Sequence, residues 1–113
     1  MPVLARWIEA AGIPTVVVTM MPAVAEERRA PRIVGVEFPF GHPFGMPNDR
    51  VMQRRVLELA LRVLAGAASF GTRVDLDMEW PVALREAYKA WQPKVPSPIV
   101  RKMLEARQDA PRG

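Results

Sequence analysis

Residues 32–49, Arg-Ile-Val-Gly-Val-Glu-Phe-Pro-Phe-Gly-His-Pro-Phe-Gly-Met-Pro-Asn-Asp, lead from a strand pattern through a rigid loop to the start of a long amphipathic helix. Residues 32–38 carry the strand pattern, and the loop at 41–49 contains two glycines and two prolines. A strand joined to a helix by such a loop is typical of α/β proteins, which bind ligands where strands end and helices begin. The loop also holds His42, the only histidine of the chain. This stretch therefore predicts an α/β fold and indicates where its site lies.

Helix and strand patterns alternate upstream of this stretch. Residues 3–11 are predicted to form a helix because their apolar residues share one helix face: Leu4, Trp7, Ile8 and Ala11. Residues 15–20, Thr-Val-Val-Val-Thr-Met, form a continuous run between breakers, which predicts a strand buried on both faces of a parallel sheet. Residues 22–29 predict a short helical turn that begins at a proline.

The alternation continues downstream. Asn48 or Asp49 is expected to cap a helix that runs to about residue 65 and carries a broad apolar stripe. Residues 72–80, Thr-Arg-Val-Asp-Leu-Asp-Met-Glu-Trp, alternate between charged and apolar side chains, which predicts a half-exposed strand at an edge. Gly35, inside the second strand, is expected to allow a neighbouring backbone to approach closely.

The predicted fold is α/β, a small three-layer sandwich with a short parallel sheet. Three strands make a small sheet, so we expect it to be completed by a partner chain or by dimerisation. Residues 1–81 are predicted to form the α/β domain and residues 82–113 a proline-spaced aromatic arm with two short helical stretches, 82–91 and 99–108. This arm either packs on another subunit or folds back over its own domain.

Composition narrows the function classes. The 113 residues carry a formal charge of +4, but the basic residues are dispersed and no basic–aromatic strip appears, which disfavours nucleic-acid binding. No apolar run is long enough to span a bilayer, and the first residues lack a signal-peptide pattern, so a cytoplasmic location is expected. The chain has no cysteine, and therefore no thiolate nucleophile or zinc–thiolate site. We expect no metal and no cofactor.

Three segments in the same order resemble one protein family. They are Glu-Ala-Ala-Gly-Ile-Pro-Thr-Val-Val at residues 9–17, the strand and Gly-His-Pro-Phe-Gly-Met-Pro loop at 32–47, and Gln-Arg-Arg-Val-Leu-Glu-Leu-Ala-Leu at 53–61. The family is the selenoprotein B component of the glycine, sarcosine, betaine and D-proline reductases. The resemblance covers residues 4–65 and corresponds to the C-terminal part of those longer proteins.

The resemblance implies a function and also shows that the family's nucleophilic residue has no counterpart in this sequence. Proteins of this family cleave a C–N bond with a selenocysteine or cysteine nucleophile, whose motif lies just before the helix that corresponds to residues 3–11. No residue of this chain matches that nucleophile. The resemblance therefore implies a small subunit of a reductase complex that supplies one wall of the site, while a larger cysteine- or selenocysteine-bearing subunit supplies the thiol or selenol.

His42 is the predicted catalytic residue, either as a general acid or base or as a hydrogen-bond donor to a carboxylate. The alternative is a structural role, in which the His42 ring caps nearby carbonyls and stiffens the loop. The predicted substrate-binding residues come from the loop and from the end of the first strand: Gly41, Pro43, Phe44, Gly45, Thr19 and Met20. The carboxylates of residues 75, 77 and 79 share a strand face, but alternation alone predicts a solvated face there.

Two rival functions stay open. One is a stand-alone, self-associating binding protein that kept the scaffold without the chemistry. The other is a self-sufficient enzyme in which His42 works with a carboxylate.

Overall fold

The computed structural model describes residues 1–108, with five helices and three strands in alternating order up to β3. The elements in chain order are α1 (Pro2–Ala10), β1 (Val17–Thr19), α2 (Pro22–Glu27), β2 (Arg32–Gly35), α3 (Arg50–Gly66), β3 (Thr72–Asp75), α4 (Leu84–Trp91) and α5 (Pro98–Gln108). Each predicted element is present, but the strands are shorter than predicted at 15–20, 32–38 and 72–80. Residues 109–113 of the predicted arm lie outside the described residues.

The three strands form one parallel sheet in the order β1-β2-β3. Val17 of β1 aligns with Ile33 of β2, which in turn aligns with Arg73 of β3. The edge position predicted for the third strand is confirmed, and its side chains alternate between half-buried and exposed, as the sequence pattern predicts. The small α/β fold with a short parallel sheet is therefore confirmed.

Helices cover both faces of the sheet. On one face α3 packs on β2 through a core of apolar side chains: Val34, Val36, Phe38, Met52, Val56, Ala60 and Val63. On the other face α1 and α2 pack through a second, smaller core: Ala5, Val17, Ala25, Ala30 and Ile33. Ile33 and Val34 are completely buried and point to opposite faces because they are neighbours in one strand. These two cores make the three layers that the alternation predicts.

Helix α1 is present as predicted, but its apolar stripe is not buried in the core. Ala5 is its buried residue, whereas Leu4 is 52% exposed and Trp7 is 75% exposed. Besides the packing of Ala5, a polar contact joins the helix to the sheet. The Glu9 carboxylate accepts hydrogen bonds from Arg32 Nη1 at 2.6 Å and from the Thr15 backbone N–H at 2.7 Å. These contacts, the Arg32 hydrogen bond first, hold the pKa of Glu9 below its usual range.

Strand β1 is less enclosed than predicted. Val17 is buried, but Val18 and Thr19 are half-buried, because no helix or strand among residues 1–108 pairs with the outer edge of β1. The sheet is therefore open at both edges, β1 and β3, within the described part of the chain.

The predicted arm divides into two parts. Tyr88 of α4 packs on Phe40 of the loop with ring centroids 6.3 Å apart, so α4 folds back over its own chain. By contrast, no residue of α5 is buried. The boundary between residues 81 and 82 stays a prediction.

Candidate functional site

The loop that leads from β2 to α3 leaves the sheet at the carboxyl end of its central strand. Two short turns shape it: the His42 N–H donates to the Pro39 carbonyl, and the Gly45 N–H donates to the His42 carbonyl, each at 3.1 Å. Gly41 and Gly45 have φ angles of +92° and +97°, a region that side chains disfavour. The two glycines thus let the chain turn twice within five residues.

Met52, in the first turn of α3, holds the second half of the loop. Its sulfur accepts a hydrogen bond from the Met46 N–H at 3.2 Å, and its own N–H donates to the Asp49 carboxylate at 3.0 Å. The second contact is an N-cap, so Asp49 caps the helix, and the alternative Asn48 does not. Gln53 adds a hydrogen bond from Nε2 to the Met46 carbonyl at 3.0 Å. The loop is therefore fixed to α3 by several independent contacts.

Gly45 lies directly against Met52. It is buried, and a Cβ placed on it would meet the Met52 side chain, with Met52 Cβ at 3.2 Å and the Met52 sulfur and Cγ closer still. Glycine at this position therefore satisfies two requirements, the positive φ and the close approach of the methionine.

The imidazole of His42 stacks on Trp80. Their ring centroids are 5.5 Å apart with planes inclined by 35°, and Trp80 in turn contacts Phe38 at 5.4 Å. The ring is half-buried, and within residues 1–108 its nitrogens make no hydrogen bond. The carbonyl-capping role considered for the ring is thus not what the described residues show, and both ring nitrogens are free to meet a ligand.

His42 and Trp80 line a cavity of about 240 Å³ beside the loop. Pro39 and Met46 contribute from the loop, while Ala87 and Ala90 contribute from α4. His42 is its one titratable lining side chain among the described residues. The walls are mostly apolar and their polar side-chain groups are the imidazole and the Trp80 indole N–H, so the cavity suits a small molecule whose polar end faces the imidazole.

Of the predicted site residues, His42 alone lines this cavity within residues 1–108, and the predicted substrate-binding residues do not: Gly41, Pro43, Phe44, Gly45, Thr19 and Met20. Phe44 lines a different groove, beside β1 and α1. Met20 lines a separate cavity of about 190 Å³ with Gly35 and Asp75. The Thr19 hydroxyl accepts a hydrogen bond from the Met21 N–H at 3.0 Å and so closes the end of β1. The roles predicted for these residues stay predictions.

Gly35 makes the close approach that the sequence indicates, but to side chains. A Cβ at this position would collide with the Asp75 carboxylate and would lie 3.0 Å from the Pro22 ring. The expected approach of a neighbouring backbone is therefore wrong, because β2 and β3 keep ordinary parallel pairing there.

Asp75 belongs to an ion-pair cluster on β3. The Arg73 guanidinium donates to Asp75 and to Glu26 of α2, each at 2.8 Å. The hydrogen bond from Arg73 lowers the pKa of Asp75, and both carboxylates raise the pKa of Arg73. This cluster ties the edge strand to α2.

Within residues 1–108 no three His, Cys, Asp or Glu side chains are grouped so that they could hold a metal ion.

Trp80 is the site residue that the sequence analysis missed. Trp80 ends the alternating run 72–80, and its side chain lies on the same face of that run as Val74, which faces α3. The loop lies over the start of α3 on that same face. That shared face was the signal in the sequence that could have identified Trp80 as a site residue.

In the part of the chain that the structure describes, no helix is long and apolar enough to cross a membrane.

Comparison with known proteins places the chain near one class, the subunits of amino-acid reductases. The chain is 33% identical over 78 residues to the D-proline reductase subunit gamma of Acetoanaerobium sticklandii, an alignment that covers 69% of this chain and 32% of the relative. The chain thus spans about a third of the length of that curated relative. No protein-family model matches the chain. No solved structure matches it either. The similarity supports a distant relationship to the reductase and suggests a subunit of a multi-subunit complex.

Proposed function

We propose that this chain is a small subunit of a reductase complex related to D-proline reductase, and that it supplies one wall of the active site. The similarity to D-proline reductase subunit gamma carries the proposal. The finer assignment, to the C-terminal part of selenoprotein B, rests on the sequence segments at 9–17, 32–47 and 53–61.

The division of chemistry follows from the residues. The reductive cleavage of a C–N bond in this family needs a thiol or selenol, and these 113 residues contain no cysteine. We propose that a larger cysteine- or selenocysteine-bearing subunit supplies the nucleophile. This chain contributes the 41–49 loop, which is held rigid by its turns and by Met52.

His42 is the proposed catalytic residue of this wall. Its ring is fixed by the contact with Trp80 while its nitrogens stay unbonded within residues 1–108, so it can donate a proton or a hydrogen bond to a small substrate in the adjoining cavity. A preorganised imidazole in an apolar cavity interacts more strongly than one in water.

Native mass spectrometry of this chain, purified at its endogenous level from its source, tests the assembly. A stable complex with a cysteine- or selenocysteine-bearing polypeptide supports the proposal. A monomer, or an oligomer of this chain alone, contradicts it and favours the stand-alone binding protein.

Variants of His42 in the purified complex test the catalytic role. His42→Ala should lower kcat by about 100-fold or more, the usual contribution of a positioned acid or base. His42→Asn keeps a hydrogen-bonding side chain but cannot transfer a proton. Recovery of KM but not of kcat in His42→Asn supports proton transfer, whereas unchanged kcat in both variants contradicts a catalytic His42.

A further inference from the structure

Helix α4 supplies one wall of the cavity that contains His42. Ala87 and Ala90 of this helix line the cavity, and because they are three positions apart they lie on the same helix face. Tyr88, the residue next to Ala87, packs on Phe40 of the loop with ring centroids 6.3 Å apart. The contact between Tyr88 and Phe40 therefore holds the alanine face of α4 toward the loop.

The two alanines keep this cavity open. They are the smallest residues of α4, and both of them line the cavity, whereas the other residues of the helix have longer side chains. An alanine side chain ends at Cβ, so a longer side chain at either position would continue along the Cα–Cβ direction into the cavity. The cavity volume of about 240 Å³ thus depends directly on Ala87 and Ala90.

Helix α4 is held by little buried surface. Ala87 and Tyr88 are half-buried, and the other described side chains of the helix are exposed. No described side chain of α4 belongs to either core of the sheet. Its N-cap residue, Ala83, has no side-chain oxygen that could accept a hydrogen bond from the first turn. An element with so few buried contacts opens at a low cost in free energy, as the lids of ligand sites do.

We infer that α4 is a lid over the His42 cavity and that Ala87 and Ala90 are specificity-determining residues, which limit the size of the molecule that reaches the imidazole. This inference rests on the proposed function, because it concerns the same site. Opening of α4 admits the molecule, and renewed contact between Tyr88 and Phe40 closes the cavity around it. A molecule too long for the space beside the alanines keeps the lid from closing.

The lining also defines the class of molecule. Besides His42, Trp80 and the two alanines, the described residues that line the cavity are apolar: Pro39, Met46, Pro47 and Val82. A charged group on the body of the ligand would lose its hydration there without gaining a partner. The cavity is also smaller than the roughly 300–1,000 Å³ of sites for drug-sized ligands. The molecule admitted is therefore a small aliphatic compound with one polar end.

Straight-chain alkanoates, from acetate to hexanoate, are suitable probes of the size limit. Their carboxylate can accept a hydrogen bond from the imidazole, and their tail grows by one methylene at a time. Because His42 is the single histidine of the chain, its ring-proton NMR signals report binding to the purified full chain directly. The Kd should fall about 4-fold with each added methylene until the cavity is full, and should then stop falling.

Leucine variants of α4 test the role of the alanines. Ala87→Leu and Ala90→Leu should each raise the Kd of the longest alkanoate that the parent chain binds well by about 10-fold or more, while the Kd of acetate changes less than about 2-fold. Arg85→Leu is the matched control, because Arg85 is exposed on the same helix and does not line the cavity. Alanine and leucine both favour helix, so all three variants should keep the circular dichroism spectrum of the parent chain.

Acylation of His42 by diethyl pyrocarbonate tests the lid. The reagent modifies a neutral imidazole, and mass spectrometry of the peptide that contains His42 measures the rate. Tyr88→Ala removes the ring that packs on Phe40, so His42 should react about 2- to 10-fold faster, as expected for the loss of one aromatic contact. Tyr88→Phe keeps that ring and should react at the rate of the parent chain.

The outcomes separate the inference from the function on which it depends. Equal effects of Ala87→Leu and Arg85→Leu, or a parent chain that binds no alkanoate, overturn the assignment of specificity. Equal acylation rates in Tyr88→Ala and Tyr88→Phe overturn the lid. Each of these results leaves the proposed reductase subunit standing, because native mass spectrometry tests that assembly independently. If no cysteine- or selenocysteine-bearing partner is found, the proposed function falls, and a size limit set by the alanines would then belong to a stand-alone binding protein.

Discussion

Replacing Gly45 by alanine should lower the free energy of unfolding by about 2–5 kcal/mol. Two effects add. A φ of +97° costs an alanine about 1–2 kcal/mol relative to glycine. The new methyl group also has to displace the buried Met52 side chain, and overpacking of this kind costs about 1–3 kcal/mol. The sum is a large part of the 5–15 kcal/mol that holds a typical domain together.

Gly12 provides the control. Its φ is +90°, close to that of Gly45, but a Cβ placed there would meet nothing within 4 Å. Gly12→Ala should therefore cost only the conformational part, about 1–2 kcal/mol. Urea denaturation followed by circular dichroism measures both variants. Equal losses in Gly12→Ala and Gly45→Ala would refute the collision with Met52.

A double-mutant cycle sharpens the same test. Met52→Ala alone should cost about 2–5 kcal/mol because it empties a buried site. In that background the obstacle to a Cβ at Gly45 is gone, so Gly45→Ala should cost no more than Gly12→Ala does in the parent chain. Strictly additive losses would show that Gly45 and Met52 do not contact each other as described.

Three further predictions concern the N-cap of α3, the Glu9–Arg32 contact and the contact between His42 and Trp80. Asp49→Ala should cost about 1 kcal/mol in urea denaturation by removing the N-cap of α3, and a similar loss in Asp49→Asn would contradict the cap. Because the hydrogen bond from Arg32 lowers the pKa of Glu9, the stability this carboxylate contributes is complete above its unfolded pKa and is lost as the pH falls through the lower folded value. The urea midpoint of the parent chain should therefore drop more between about pH 6 and about pH 2 than that of Glu9→Gln, and equal drops would refute the stabilising role of the Glu9–Arg32 contact. Trp80→Leu should move the ring-proton NMR signals of His42, the single histidine, toward unstructured values, and unchanged signals would disprove the stacking.

Residues 50–66 show what the sequence can predict. The apolar stripe of α3 recurs at helical spacing, and Met52, Val56, Ala60 and Val63 are all buried. The stripe and the cap at Asp49 are local signals that tertiary packing reinforces, so the helix lies where the pattern puts it. The same holds for the alternation of residues 72–80.

The stripe of α1 shows where the pattern fails. Leu4 and Trp7 have the spacing of a core-facing stripe, yet both are exposed in the described residues. Periodicity identifies an apolar helix face but not the surface that covers it, and a face that packs on another chain has the same pattern as one that packs on its own sheet.

The sequence also could not predict on which face of the sheet each crossover helix packs. Parallel crossovers are almost always right-handed, and two such crossovers that step in the same direction would put α2 and α3 on one face. The structure puts them on opposite faces while the strand order is β1-β2-β3, so one of the two crossovers is left-handed. The contact between His42 and Trp80 depends on this arrangement, which brings residues 38 positions apart onto the α3 face.

The attachment of α1 has a consequence for how this protein can evolve. The helix is joined to the sheet by Ala5 and by the contact of Glu9 with Arg32, while Leu4 and Trp7 remain exposed. Substitutions at Leu4 or Trp7 therefore leave the fold intact and alter only what the helix presents outward. Selection can change this outward surface in one lineage and restore it in another without a compensating change in the core.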